Sequence, residues 1–242
     1  MKWADIHVAD LGTGKIERTI SSPQSAILAV AMSPNGDKLV AGGYDKQVEL
    51  WDIESGTLVH SMKGHGGPVG AVAIDAEMPF AASGSRDKTL KIWNLATGGL
   101  IRTLEGHTGS VISIVITPDG SRIASGSDDC TIRVWDAGDG KLVHVLTGHK
   151  ASVTALLVSP DGHHLISGSR DTTVKVWNMD TGVLLKTLAK HADTVTALAI
   201  SPDETCLVTC SADRTERHWP IKEYLDEYLA REQEQEFATE GT

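Results

Sequence analysis

The chain has 242 residues, 40% of them hydrophobic and 22% charged, with a formal net charge of −10. Such a chain can bury a sizeable core as one globular domain, and its acidity without a basic stripe argues against a nucleic-acid partner. It holds no apolar run of membrane-spanning length and no apolar leader region, so no membrane partner is expected. Its three cysteines (Cys130, Cys206, Cys210) are too few and too odd for a disulfide scaffold and fit a cytoplasmic or nuclear location.

The first predicted elements are fragments, an alternating stretch at residues 6–10 and a strand over 15–20. From there one unit recurs. Trp51, Trp93, Trp135, Trp177 and Trp219 stand 42 residues apart, with Ala9 one period before them. Two further registers hold the same phase: Gly14, Gly56, Gly98, Gly140 and Gly182, and Asp45, Asp87, Asp129, Asp171 and Asp213. A fixed period of this size marks stacked or radially arranged units.

Residues 99–136 show one unit well. A short strand at 99–104 leads into the turn Gly106-His107-Thr108-Gly109. The apolar run 111–116 reads as a buried strand, and Thr117-Pro118-Asp119-Gly120 as a tight turn. A strand of small residues at 122–127 and an alternating one at 131–135 complete the unit. Four short strands joined by tight turns make antiparallel four-stranded sheets, which must stack to bury both faces.

Gly64-His65, Gly106-His107 and Gly148-His149, each followed by Trp93-Asn94, Trp135-Asp136 or Trp177-Asn178, resemble the WD-repeat family, as does Trp51-Asp52 in the preceding unit. The turns Ser33-Pro34-Asn35-Gly36 and Ser159-Pro160-Asp161-Gly162 fit the same pattern. The resemblance covers residues 5–219 and implies an all-β fold, a β-propeller of four-stranded antiparallel blades, with five full strand sets and a partial N-terminal blade.

Four units carry a hydroxyl, a histidine and an aspartate at fixed offsets: His65/Ser83/Asp87, His107/Ser125/Asp129, His149/Ser167/Asp171 and His191/Thr209/Asp213. By residue type each is a hydrolase triad. An enzyme needs the set once, no Gly-x-Ser-x-Gly elbow occurs, and a Trp follows every Asp at six residues, so no catalytic residue is assigned. The resemblance implies a structural chain in each blade, from the indole N–H of Trp93, Trp135, Trp177 or Trp219 through hydroxyl and histidine to aspartate. No cofactor is expected, and no Cys/His spacing suits a metal. Gly12-Thr13-Gly14-Lys15 reads as a turn, His163-His164 as a solvated surface turn, and Cys206 and Cys210 as core packing.

The departures matter as much. The unit ending at Trp51 has Pro23 for the histidine and Ala41 for the hydroxyl, which leaves Asp45 and Trp51 and predicts the softest blade. In the last unit Glu216 and His218 replace the apolar pair Ile132 and Val134, which predicts a poorly packed outer strand. Residues 1–220 are expected to form the propeller, either an arc truncated at the N-terminus or a small ring closed by strand 15–20 joining the sheet of 195–219. Ile221, Tyr224, Leu225, Tyr228 and Leu229 take helical spacing, predicting an amphipathic helix over 221–237 and a disordered tail over 238–242.

The family resemblance implies a non-catalytic scaffold or adaptor that binds other proteins or peptides on the face of the Gly-His and Asp turns. Tyr44, Arg86, Asp128, Arg170 and Ala212 precede the network aspartates there, and Pro68, Ser110, Ser152 and Thr194 open the innermost strands. The arginines suit an acidic or phosphorylated segment. An open arc would also self-associate. The alternatives are a sensor array of a NACHT-type signalling ATPase, a ubiquitin-ligase substrate receptor, and a serine hydrolase.

Overall fold

The structure is a computed structural model, and it describes residues 4–74, 79–203 and 205–221. It divides after Gly148 into two compact units. Every regular element of more than one residue in the described part is a β-strand.

The first unit opens with a two-stranded sheet, β1 (Ala4–Ala9) against β2 (Ile16–Ser22). Three four-stranded antiparallel sheets follow. One joins β3 (Ile27–Met32), β4 (Lys38–Gly43), β5 (Gln47–Asp52) and β6 (Thr57–Lys63). The next joins β7 (Val69–Ile74), β8 (Phe80–Ser85), β9 (Leu90–Asn94) and β10 (Leu100–Leu104). The third joins β11 (Val111–Ile116), β12 (Arg122–Ser127), β13 (Ile132–Asp136) and β14 (Leu142–Leu146). The second unit holds a fourth such sheet, β15 (Val153–Val158), β16 (His164–Ser169), β17 (Val174–Asn178) and β18 (Leu184–Leu188). Its last sheet has three strands, β19 (Val195–Ile200), β20 (Leu207–Ser211) and β21 (Glu216–Trp219).

The sequence repeat and the sheet are therefore out of phase by one strand. The strand that opens each 42-residue repeat is the outermost strand of the preceding sheet, as β10 is to β9. The five full strand sets expected from the sequence become four four-stranded sheets flanked by a two-stranded and a three-stranded one. The closed-ring expectation also needs correction: β2, its proposed closing strand, pairs with β1, Ile20 opposite Ile6. The helix and tail expected over 221–242 lie outside the described residues apart from Ile221, which is buried against the last sheet.

Each apolar core lies between successive sheets. Val40, Leu50 and Met62 of one sheet meet Val69, Ala81 and Trp93 of the next. Ala82, Ile92 and Leu104 likewise meet Val111, Ile123 and Trp135. In the second unit Ile166, Val176 and Leu188 meet Val195, Leu207 and Trp219. Small residues on the second strand permit this approach. A Cβ on Gly84 would stand 2.5 Å from Val111 Cγ1, well inside van der Waals contact.

Two other expectations shift. His164 is not a surface turn residue but a buried one on β16, while its neighbour His163 is exposed and pairs with Asp180 at 2.9 Å. Cys206 and Cys210 are only half-buried.

Candidate functional site

Four sheets build the same hydrogen-bonded chain. In the second four-stranded sheet Trp93 Nε1 donates to Ser83 Oγ at 2.8 Å, Ser83 meets His65 Nε2 at 2.8 Å, and His65 Nδ1 meets Asp87 Oδ2 at 2.8 Å. The corresponding distances are 3.0, 2.9 and 2.8 Å for Trp135, Ser125, His107 and Asp129. They are 2.8, 2.8 and 2.9 Å for Trp177, Ser167, His149 and Asp171. For Trp219, Thr209, His191 and Asp213 they are 3.0, 2.7 and 3.2 Å.

An ionised aspartate only accepts, so the histidine proton sits on Nδ1 and Nε2 accepts from the hydroxyl. All donors then point one way, from indole to carboxylate. The side chains of His65 and His107 are fully buried. Burial pulls His65, His107 and His149 below the ordinary histidine range, more than their aspartates raise them. Burial alone would raise the Asp87 carboxyl, but hydrogen bonds from Thr89, His65 and the Gly66 N–H outweigh it and hold Asp87 at about 2. Asp171 likewise stands at about 2, and Asp129 and Asp213 fall below the usual range.

The residue types and distances are those of a hydrolase triad, but the hydroxyls are unreachable. Ser83, Ser125, Ser167 and Thr209 are each 0% exposed, and each oxygen already accepts from an indole. This geometry stabilises a blade and offers no place for a substrate carbonyl.

Sequence reasoning missed the last link. Thr89, Thr131, Thr173 and Thr215 donate to the free oxygen of each aspartate at 2.6–2.7 Å. The signal was present as Asp-x-Thr at the 42-residue period. The intervening residue, Lys88, Cys130, Thr172 or Arg214, takes positive φ, which closes a three-residue hairpin loop.

The first four-stranded sheet is wired differently, not merely depleted. Trp51 Nε1 donates to Glu49 Oε2 at 3.1 Å, and Ser22 Oγ donates to the same oxygen at 2.7 Å. Glu49 is 0% exposed and replaces the hydroxyl lost at Ala41. Asp45 is separate from Trp51 and accepts from Ser25 N–H and Oγ.

The turn residues singled out for partner contact come together pairwise. Arg86 N–H donates to Pro68 O, and Asp128 N–H to Ser110 O, at 3.0 and 2.9 Å. In the second unit Arg170 N–H meets Ser152 O and Ala212 N–H meets Thr194 O, at 2.9 and 2.8 Å. Tyr44 bonds Ala26 O in the same way. The side chains of Tyr44, Arg86, Asp128 and Arg170 are exposed, whereas Pro68, Ser110 and Thr194 are half-buried and Ser152 is buried.

Residues 60–219 match the family described as WDR36/Utp21 second beta-propeller domain, and residues 14–52 match the WD domain, G-beta repeat. The chain belongs to the WD-repeat β-propeller family. Individual WD-repeat relatives match over short stretches. WD repeat domain-containing protein 83 of Danio rerio is 39% identical over 49 residues, 20% of this chain and 16% of that protein. WD repeat-containing protein slr1409 of Synechocystis is 44% identical over 50 residues, 21% of this chain and 15% of that protein. The probable serine/threonine-protein kinase PkwA of Thermomonospora curvata is 41% identical over 48 residues, 20% of this chain and 6% of that protein. Each match thus spans no more than 16% of the relative's own length.

Proposed function

We propose that this WD-repeat chain is a non-catalytic scaffold whose partners, proteins or peptides, dock on the turns that carry Tyr44, Arg86 and Asp128 in the first unit and Arg170 in the second. The observation that carries the reading is the pairing of rigid base and free tip. Arg86, Asp128 and Arg170 each stand beside a network aspartate whose backbone and hydroxyl bonds fix the turn, and Tyr44 stands beside Asp45, which is tied to Ser25. Preorganised exposed groups lose little freedom on binding. Arg86 and Arg170 favour acidic or phosphorylated segments, because a guanidinium meets a carboxylate or phosphate with two parallel hydrogen bonds. The three free thiols suit a reducing compartment, cytoplasm or nucleus.

The test is binding to an array of acidic peptides and their phosphorylated forms, read for the wild type, Arg86→Glu and Arg170→Glu. Selective binding that weakens in either variant and with added salt is the expected result. Peptide binding indifferent to both substitutions would refute the reading. A second reading, a sensor module within a larger signalling protein, draws on the likeness to the bacterial protein named as a probable kinase.

A further inference from the structure

Each four-stranded sheet ends on an outer strand, β6, β10, β14 or β18, with no strand on its far side among the described residues. These edges belong to complete sheets, so none of them is the place of a missing strand. A hydroxyl recurs on the outer strands at the 42-residue period and bonds a side chain of the adjacent strand. Thr19 meets His7 at 3.0 Å, Ser61 donates to Gln47 at 2.7 Å, and Thr103 and Thr187 accept from Lys91 and Lys175 at 2.7 and 2.9 Å. On β14 that place falls to Val145, which is 42% exposed. Its cross-strand neighbour Arg133 has a buried Nε with no hydrogen-bond partner among the described residues. The exchange gives up a bond that the other outer strands make and puts an aliphatic side chain into water, and the sheet itself gains nothing from either change.

The strand is also the least charged of the four. β6 ends on Lys63, β10 carries Arg102 and β18 carries Lys186, whereas Leu142-Val143-His144-Val145-Leu146 holds no Lys, Arg, Asp or Glu. Charges on an edge strand hold off a second chain, and β14 lacks that protection. Leu142 and Val143 are 43% and 39% exposed beside Val145. The five residues of β14 read the same in both directions.

We propose that the free edge of β14 pairs antiparallel with β14 of a second copy of this chain, about a twofold axis through His144. A twofold contact must be self-complementary, with residue i meeting j and j meeting i. The palindrome meets that requirement. Val143 falls opposite Val145 of the second copy, and Val145 opposite its Val143. The two positions lie two residues apart, so the four valines gather on one face of the joined sheets. The chain carries a net charge of −10, so two copies meet with least repulsion along a strip without carboxylates. Three exposed aliphatic side chains per copy make a small contact, and the dimer is accordingly weak and concentration-dependent. None of the turn residues of the scaffold reading takes part, so the two proposals stand or fall separately.

Sedimentation equilibrium of the intact chain is the test, with a mass that rises from monomer toward dimer as concentration increases. Val145→Thr restores the hydroxyl of Thr103 and Thr187. It should raise the dimer Kd about three-fold or more, because two cross-strand valine pairs change. Its melting temperature should stay at or above the wild-type value, which separates lost pairing from lost folding. Val145→Lys should weaken the dimer about ten-fold or more, and adding Val143→Asp should restore it, because each introduced ammonium then faces an introduced carboxylate across the axis. Ile101→Asp, at the matching place on β10 and 46% exposed, should change nothing. A chain that stays monomeric up to about 1 mM overturns the proposal. So does a dimer indifferent to Val145→Thr and Val145→Lys, since it would use another surface. A Val143→Asp, Val145→Lys chain that stays monomeric overturns the antiparallel register.

Discussion

Asp87→Ala tests what the network does for a blade. The carboxylate accepts four hydrogen bonds, from His65 Nδ1, Gly66 N–H, Thr89 N–H and Thr89 Oγ, at 2.8, 2.7, 2.9 and 2.7 Å. Gly66 is exposed and Thr89 half-buried, so water can replace much of what they lose. The His65 side chain is 0% exposed, and its Nδ1 proton would be stranded. An unsatisfied buried donor costs about 1–3 kcal/mol, and loss of charge-assisted bonds adds to it, for a total of about 2–4 kcal/mol. Asp45→Ala is the internal control at the same register, because Asp45 is exposed and, among the described residues, accepts hydrogen bonds from Ser25 alone. Its loss should cost about 1 kcal/mol or less. Guanidinium unfolding followed by tryptophan fluorescence reads both variants. A cost for Asp87→Ala no larger than that for Asp45→Ala would refute the view that the histidine carries the energy.

Stability should fall with acid in two steps. His65, His107 and His149 have lowered pKa values, so their neutral forms favour the fold above about 6.5, and stability declines as pH drops through that value. The depressed aspartates contribute above 3.8, and that share is lost as pH falls toward about 2, the value for Asp87 and Asp171. A pH series of urea midpoints that is flat from 7 to 3 would sink this account. Thr172→Gly should stabilise by about 0.5–1 kcal/mol: the β-branched residue sits at φ 71°, which costs it about 1–2 kcal/mol, and glycine returns part of that as lost chain entropy. Thermal melts check it. Gly84→Val should destabilise by roughly 1–3 kcal/mol or more, since Val111 Cγ1 occupies the space its Cβ needs. Glu49→Ala should cost about 1–3 kcal/mol by stranding the buried indole of Trp51, which differential scanning fluorimetry would detect.

The fold was legible because its signals are periodic. Tryptophan, glycine and aspartate registers locate turns and strands without any knowledge of the tertiary structure, and strand alternation locates the faces. What the period could not show is which sheet a strand joins. β2 and β10 open repeats in sequence yet close the preceding sheets in space, a choice made by pairing geometry and not by local propensity. The network was legible as residue types at fixed offsets, but Glu49 was not. No repeat offers a template for a carboxylate there; Lys91, Arg133, Lys175 and Arg217 hold the same register. Its role follows only from Trp51 and Ser22 converging on one oxygen. His164 was misread because a His-His pair beside a turn looks solvated, although the second histidine opens β16, a strand buried along its whole length.

The one-strand offset between repeat and sheet bears on how such a chain changes length. A duplication or deletion of 42 residues, wherever it starts, rejoins an inner trio to an equivalent outer strand. Each remaining four-stranded sheet keeps its strands, its tryptophan and its carboxylate, and no new turn has to be invented. Recombination between equivalent points of two repeats would therefore change the length of the chain while keeping this sheet plan. In this architecture the number of units is heritable variation, open to selection separately from the identity of any one residue.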